Sequence, residues 1–284
     1  MVIGGSLGMA QEFEVASIKQ NTSCANRPTQ SIPSPGRFTL ECQTVKSLIQ
    51  VAYGALADGV SFNRKMLDVT GGPGWMESDR YDIAAKAEGA ARVEQMGGPM
   101  MRALLEDRFK LKVHRESKES SVYFLEVGKG GSKLVRTKEG SCVPIDLNHL
   151  QRPTPGETPP NYCGNTRVRR KGTVGMVMTL DANGISLADL TGGPLHGLSG
   201  RPVIDKTELE GLFNVHMEFT PEGAMGGMGG REGAGANGAP APPVDPGAPS
   251  IFTAVQEQLG LKLVPGKGPI DVLVVDHLER PSEN

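Results

Sequence analysis

Two stretches of this chain repeat one pattern, and the repeat limits the folds open to it. Arg102 to Val127 reads RALLEDRFKLKVHRESKESSVYFLEV, and Thr253 to Pro281 reads TAVQEQLGLKLVPGKGPIDVLVVDHLERP. Each predicts a short amphipathic helix, a strand, a turn and a second strand. They align at an offset of 150 residues: Met101 with Ile251, Leu105 with Val255, Phe109 with Leu259, Leu111 with Leu261 and Val113 with Leu263. The inward positions agree while the surface positions diverge, as expected where packing is what is preserved. A helix with one apolar stripe must lay that stripe on another element to bury it.

Further signals multiply the unit. Thr44 offers an N-cap to a helix whose stripe is Val45, Leu48, Ile49 and Ala52, with Gly54 placed to close it. Ser186 offers a capping box with Asp189, although Gly192, Gly193 and Pro194 should soon interrupt that helix. A third helix is expected to begin near Pro99, and Ser250 caps the last, with Gly260 at its C-terminal left-handed position. Strands are expected at Phe13–Ile18 (Phe13 and Val15 inward), Arg37–Cys42, Tyr81–Ala87, Leu111–His114, Val122–Val127, Thr173–Leu180, Arg201–Asp205, Leu212–Phe219, Leu261–Val264 and Ile270–Val275. The fold class is therefore α+β: two similar lobes of short helices packed on mainly antiparallel sheets.

The expected organisation is a tail at 1–11, an N-terminal lobe at 12–128, a connecting excursion at 129–172 and a C-terminal lobe at 173–284. Within the last lobe, 221–249 is so rich in Gly, Ala, Pro and Met that it cannot bury enough apolar surface to order itself. The tail MVIGGSLGMAQ carries Gly8 and Ala10 at the −3 and −1 positions before Gln11, resembling the end of a secretory signal peptide. Four cysteines bracket two loops and form no CxxC pair, which speaks against a zinc or thioredoxin-type site. They allow three connectivities. Proximity favours Cys24–Cys42 and Cys142–Cys163 in an oxidising compartment, with four buried thiols as the competing reading. No apolar run has the length of a membrane span. A net charge of −2 lacks the basic surface that nonspecific nucleic-acid binding requires. The local basic run Arg167, Arg169, Arg170 and Lys171 reads as a solvated loop or strand edge.

No catalytic constellation is legible. His114, His149, His196, His216 and His277 have no HxH or HxxxH spacing, so no metal motif appears, and nothing points to a cofactor. No serine sits in a GxSxG elbow, and Gly71–Gly74 lacks the Lys-Ser/Thr ending of a phosphate loop. Glu77, Asp79 and Asp82 are close in sequence without any sign that two share a substrate. Met225 and Met228 in the Gly-rich tract read as composition. Two clusters stand out. GGPGWMESDRYDI carries the only Trp, and Trp75, Asp79 and Arg80 form a candidate ligand-facing group. RPVIDKTELEG contributes Arg201 and Asp205, with Asp205 and Thr207 suited to turn bonds.

FEVASIK, GGPGWMESDRYDI, LLEDRFKLKVHRE, GRPVIDKT and SIFTAVQEQLGLKL…VDHLERPSEN together resemble a soil-associated acidobacterial family known only as a domain of unknown function. The likeness runs from Phe13 to Asn284. It implies an exported protein, periplasmic or extracellular, related to domains fused to BlaR-type metallopeptidase sensor-transducers. It carries no catalytic residues over. TELEGLFN departs from the family's usual Thr-Gly-Leu-Thr-Gly-Arg-Tyr-Asp, which weakens any ligand role for the turn after Asp205. The expected function is an exported, non-enzymatic binding, sensing or interaction module whose partner is an envelope protein or a small ligand. The competing readings are a hydrolase with a site between the lobes and a self-associating envelope protein.

Overall fold

The computed structural model describes residues 12–24, 29–30, 35–59, 65–149, 160–171, 177–220 and 249–281. The expected signal-peptide remnant at 1–11 and the methionines of the Gly-rich tract lie outside the described residues, as does all of that tract but Pro249. Contacts divide the chain into two compact units. The first takes Met1–Ser117, Asp146–Leu150 and Asp271–Asn284, and the second takes Lys118–Ile145 and Gln151–Ile270. These boundaries differ from contiguous lobes, because the last strand changes unit partway along and part of the expected excursion joins the first unit.

The first unit is built on the sheet order β1-β5-β3-β2, from Phe13–Gln20 (β1), Thr29–Gln30 (β2), Arg37–Thr44 (β3) and Arg80–Ala87 (β5), all antiparallel. Strict alternation puts Tyr81, Ile83, Ala85 and Ala87 of β5 inward. The β1 pattern is different from that expected. The register shifts between Phe13 and Val15, so Val15 is left 60% exposed while Ile18 is buried.

Helix α1 (Val45–Gln50) begins where Thr44 accepts the Ser47 amide, and it runs on through a wider π turn, Val51–Ala55. Gly54 lies inside that turn and does not end the helix. A Cβ there would lie 2.9 Å from Leu67 Cβ, so it allows close packing on the strand that follows, Asp68–Gly71 (β4). After the single turn α2 (Trp75–Ser78) and β5, the next helix starts six residues before Pro99. It runs as α3 (Val93–Gln95), a π turn (Met96–Met100) containing Pro99, and α4 (Met101–Arg108). The wider turn accommodates a proline that has no N–H to donate and would crowd a regular α turn.

The second unit repeats this plan. Its sheet order is β7-β11-β9-β8, from Val135–Arg136 (β7), Asn165–Lys171 (β8), Val177–Ile185 (β9) and Phe213–Phe219 (β11). Ser186 caps α5 (Leu187–Leu190) by accepting the Asp189 amide. The expected interruption at Gly192-Gly193-Pro194 is absorbed by a π turn, Thr191–Leu195. The helix continues as α6 (His196–Ser199) to Gly200 in the left-handed conformation. The short strand Val203–Asp205 (β10) follows, and after β11 comes α7 (Ile251–Leu259), capped by Ser250.

The opening repeat is confirmed in its inward positions and corrected in its shape. Met101, Leu105, Phe109 and Leu111 are buried in one core, and Ile251, Val255, Leu259 and Leu261 in the other. Lys110 and Gly260, 150 residues apart, both take the left-handed conformation that ends a helix. The predicted strand–turn–strand is instead one long strand in each copy: β6 (Lys112–Val127) and β12 (Leu261–His277). The polar ESKESS and the Pro/Gly-rich PGKGP look like turns by composition, but here they stay extended. Tyr123, Phe124 and Leu125 pair in parallel with Val203, Ile204 and Asp205. Leu273, Val274 and Val275 pair in parallel with Val69, Thr70 and Gly71. The long-strand positions correspond under the 150-residue offset, while their short partners, Val69–Gly71 and Val203–Asp205, stand 134 residues apart. Each unit thus completes its architecture with the far half of the other copy's long strand.

Candidate functional site

The residues singled out from the sequence fall into different units. In the first, Trp75 packs against the core, and the Arg280 guanidinium carbon lies 4.8 Å from its ring centroid. Arg280 Nε also donates to Asp79 Oδ2 at 3.0 Å, with the Asp79 side chain only 18% exposed. Arg80 donates to the Cys42 carbonyl at 2.9 Å. The Trp75 turn is therefore held shut by a cation stacked on its ring and bonded to its carboxylate. Beneath it the Tyr81 hydroxyl is buried without a hydrogen bond among the described residues. Burial pushes the Tyr81 pKa up, Asp79 adds to the rise, and the Arg280 charge opposes it. Local sequence does not mark Arg280, since Asp79 lies 201 residues away.

In the second unit, Arg201 sits over the Tyr123 ring at 5.4 Å, and Asp205 accepts from both the amide and the hydroxyl of Thr207 at 2.9 and 2.7 Å. That is the expected turn bonding. Glu77, Asp79 and Asp82 do not form a carboxylate pair. Lys46 takes Glu77 at 2.7 Å, Arg280 takes Asp79, and Asp82 accepts from the Cys42 amide at 2.8 Å and from Asn21 at 2.9 Å. Disulfides join Cys24 to Cys42 and Cys142 to Cys163, with Cα–Cα separations of 5.8 and 5.0 Å. Cys24, Cys42 and Asp82 are the one grouping of potential metal ligands among the described residues, and the disulfide occupies both sulfurs. Four of the five histidines face carboxylates: His114 with Asp276, His149 with Asp146, His216 with Asp181 and His277 with Glu279.

A cavity lies elsewhere, on the outward face of the sheet β7-β11-β9-β8. Its volume is about 530 Å³, and its lining includes Lys133, Arg167, Arg169, Asp181, Asn214 and His216. Alternation sets this face. Val215, Met217 and Phe219 of β11 and Leu180 and Ala182 of β9 point into the core. The intervening residues form rows across the strands: Arg167 opposite Asp181 opposite His216, and Arg169 opposite Thr179 opposite Glu218. The acids in these rows are already engaged. His216 Nδ1 meets Asp181 at 2.6 Å, and Lys171 donates to both Glu218 oxygens at 2.7 Å, which lowers the Glu218 pKa. Arg167 and Arg169 consequently face the cavity with no ion-pair partner among the described residues. At the rim, Gln258 takes the place of a neighbouring strand. It accepts the Glu218 amide and donates to the Glu218 carbonyl, at 2.9 and 2.7 Å. Sequence reasoning names the basic run but gives it no site. The signal is the alternation within TRVRRK, which puts Arg167 and Arg169 on one face of an edge strand.

Fold and site together define a disulfide-bonded α+β protein built from an internally repeated helix–strand plan, with an open, cation-lined groove on one sheet. The chain belongs to the family described as Protein of unknown function (DUF3738), whose model matches residues 46–278. No curated protein and no solved structure matches the chain.

Proposed function

We propose that this is an exported binding or sensing module of the cell envelope, and that its ligand site is the groove on the outward sheet face of the second unit. The observation that carries this reading is the pair Arg167 and Arg169, which form no ion pair among the described residues and line a cavity of about 530 Å³. That volume suits a small molecule, for which pockets run to about 300–1,000 Å³. Two disulfides and the resemblance to exported acidobacterial proteins, some joined to BlaR-type sensor-transducers, support the compartment. Among the described residues no helix is long and apolar enough to cross a membrane. The Trp75 turn serves as a structural clasp, because Arg280 occupies both its ring face and its carboxylate.

Two measurements test the reading. A thermal-shift screen of neutral and charged small molecules should find ligands that raise the apparent melting temperature by mass action. Non-reducing mass spectrometry of the protein from its native host should show two disulfides. Four free thiols there would remove the argument for export.

A further inference from the structure

We infer that the groove takes a small dianion, a molecule carrying either two carboxylates or one phosphoryl group, held between Arg167 and Arg169. This assignment rests on the binding-module reading above and gives it a ligand chemistry. The two arginines lie two residues apart on one face of β8, so their Cα atoms are about 6.7 Å apart at the rise of an extended strand. Guanidinium groups at that spacing can converge on one tetrahedral head or straddle two planar ones, each through two parallel N–H donors.

Three features favour a dianion over other occupants. Arg167, Arg169 and Lys133, whose ammonium also donates to the Glu257 carbonyl at 2.6 Å, line the cavity against the single carboxylate of Asp181, which His216 already engages. Among the described lining residues there is no Phe, Tyr or Trp, and the one imidazole, His216, is tied to Asp181, so a base or sugar would find no broad stacking platform. The side-chain amides are largely committed: Asn183 donates to Asn161, Gln258 bonds Glu218, and the Asn214 oxygen accepts from Thr137 and Gly184. What remains on offer is mainly positive charge. The competing explanation is that edge-strand β8 carries cations only to discourage pairing with another chain. That account predicts no saturable site.

Calorimetric and NMR titrations of the full chain with succinate, inorganic phosphate and neutral succinamide decide the matter. Saturable binding of succinate or phosphate is expected, with shifts at β8, β9 and β11 amides and no binding of succinamide. Arg167→Gln and Arg169→Gln should each weaken it about tenfold or more, while Lys19→Gln, which removes the same charge from the first unit, should not. Preference for succinate identifies the dicarboxylate class, and preference for phosphate the phosphoryl class. Absence of saturable binding of both anions overturns the assignment, and so does binding unchanged in the two arginine variants. If neutral compounds from the screen stabilise the wild type and the Arg167→Gln/Arg169→Gln double variant alike, the dianion assignment fails and the binding-module reading survives. If nothing in the screen binds, both fail.

Discussion

Replacing Cys142 and Cys163 by serine tests how much the second unit depends on its cross-link. The bond joins positions 21 residues apart. Closing a loop of that length in the unfolded chain removes entropy equivalent to about 3.3 kcal/mol at 25 °C. Native bonds partly hold the same loop: Val143 and Cys163 exchange backbone contacts with Asn161 and Val143 at 2.9 and 2.7 Å, and Asn161 reaches the Ser141 carbonyl at 2.8 Å. These exist only in the folded state, so they leave the entropic term intact. With a urea dependence of about 2 kcal/mol per molar, the unfolding midpoint should fall by about 1.6 M. Far-UV circular dichroism across a urea series gives the midpoint, and hydrogen exchange at the β8 and β9 amides localises the loss. A midpoint shift below about 0.5 M, or about 1 kcal/mol, would refute the reasoning.

Further outcomes follow from single side chains. Gly98→Ala should cost about 1–3 kcal/mol, because a Cβ there runs into the Leu56 carbonyl oxygen; Gly74→Ala, which meets open space, should change stability by less than about 0.5 kcal/mol in the same urea assay. Tyr81→Phe removes a buried hydroxyl with no hydrogen bond among the described residues and should be neutral or stabilising by up to about 1 kcal/mol, so a loss larger than that would reveal a partner for it, with Arg280 the nearest candidate. Arg280→Ala and Asp79→Ala, combined in a double-mutant cycle, should show a coupling of about 0.5–1 kcal/mol, and additive losses would dissolve the clasp at Trp75. The Asp146 carboxyl is lowered from its ordinary 3.8 to about 2, chiefly by its bond to His149 and next by the Asn148 amide. A depressed folded-state pKa contributes stability above 3.8 that is lost as pH falls through about 2. Carboxyl-carbon NMR should place the Asp146 midpoint near 2 and move it upward in His149→Ala.

The helix caps at Thr44, Ser186 and Ser250, the inward stripes at Met101–Leu105 and Ile251–Val255 and the alternation of Phe213–Phe219 were legible because each is set by a few adjacent residues. A cap needs one side-chain oxygen and an amide three residues on. A stripe needs only its period. The repeat at a 150-residue offset was legible for the same reason, since inward positions tolerate only apolar residues. Composition misled at the turn-like runs. Gly54 packs against Leu67 within its helix, and Pro99 and Pro194 lie in π turns, because a wider turn relieves what a regular helix cannot hold.

The tertiary structure alone decided that ESKESS and PGKGP remain extended, and that the far half of each long strand pairs with the short strand of the other copy. Sheet hydrogen bonds form between residues remote in sequence, so no local signal contains them. The candidate site follows the same division. Arg167 and Arg169 show in the sequence as charge, but His216 and Lys171 engaging Asp181 and Glu218 is a matter of register across three strands. Whether a charge is answered or free depends on who stands opposite it, and only the folded sheet determines that.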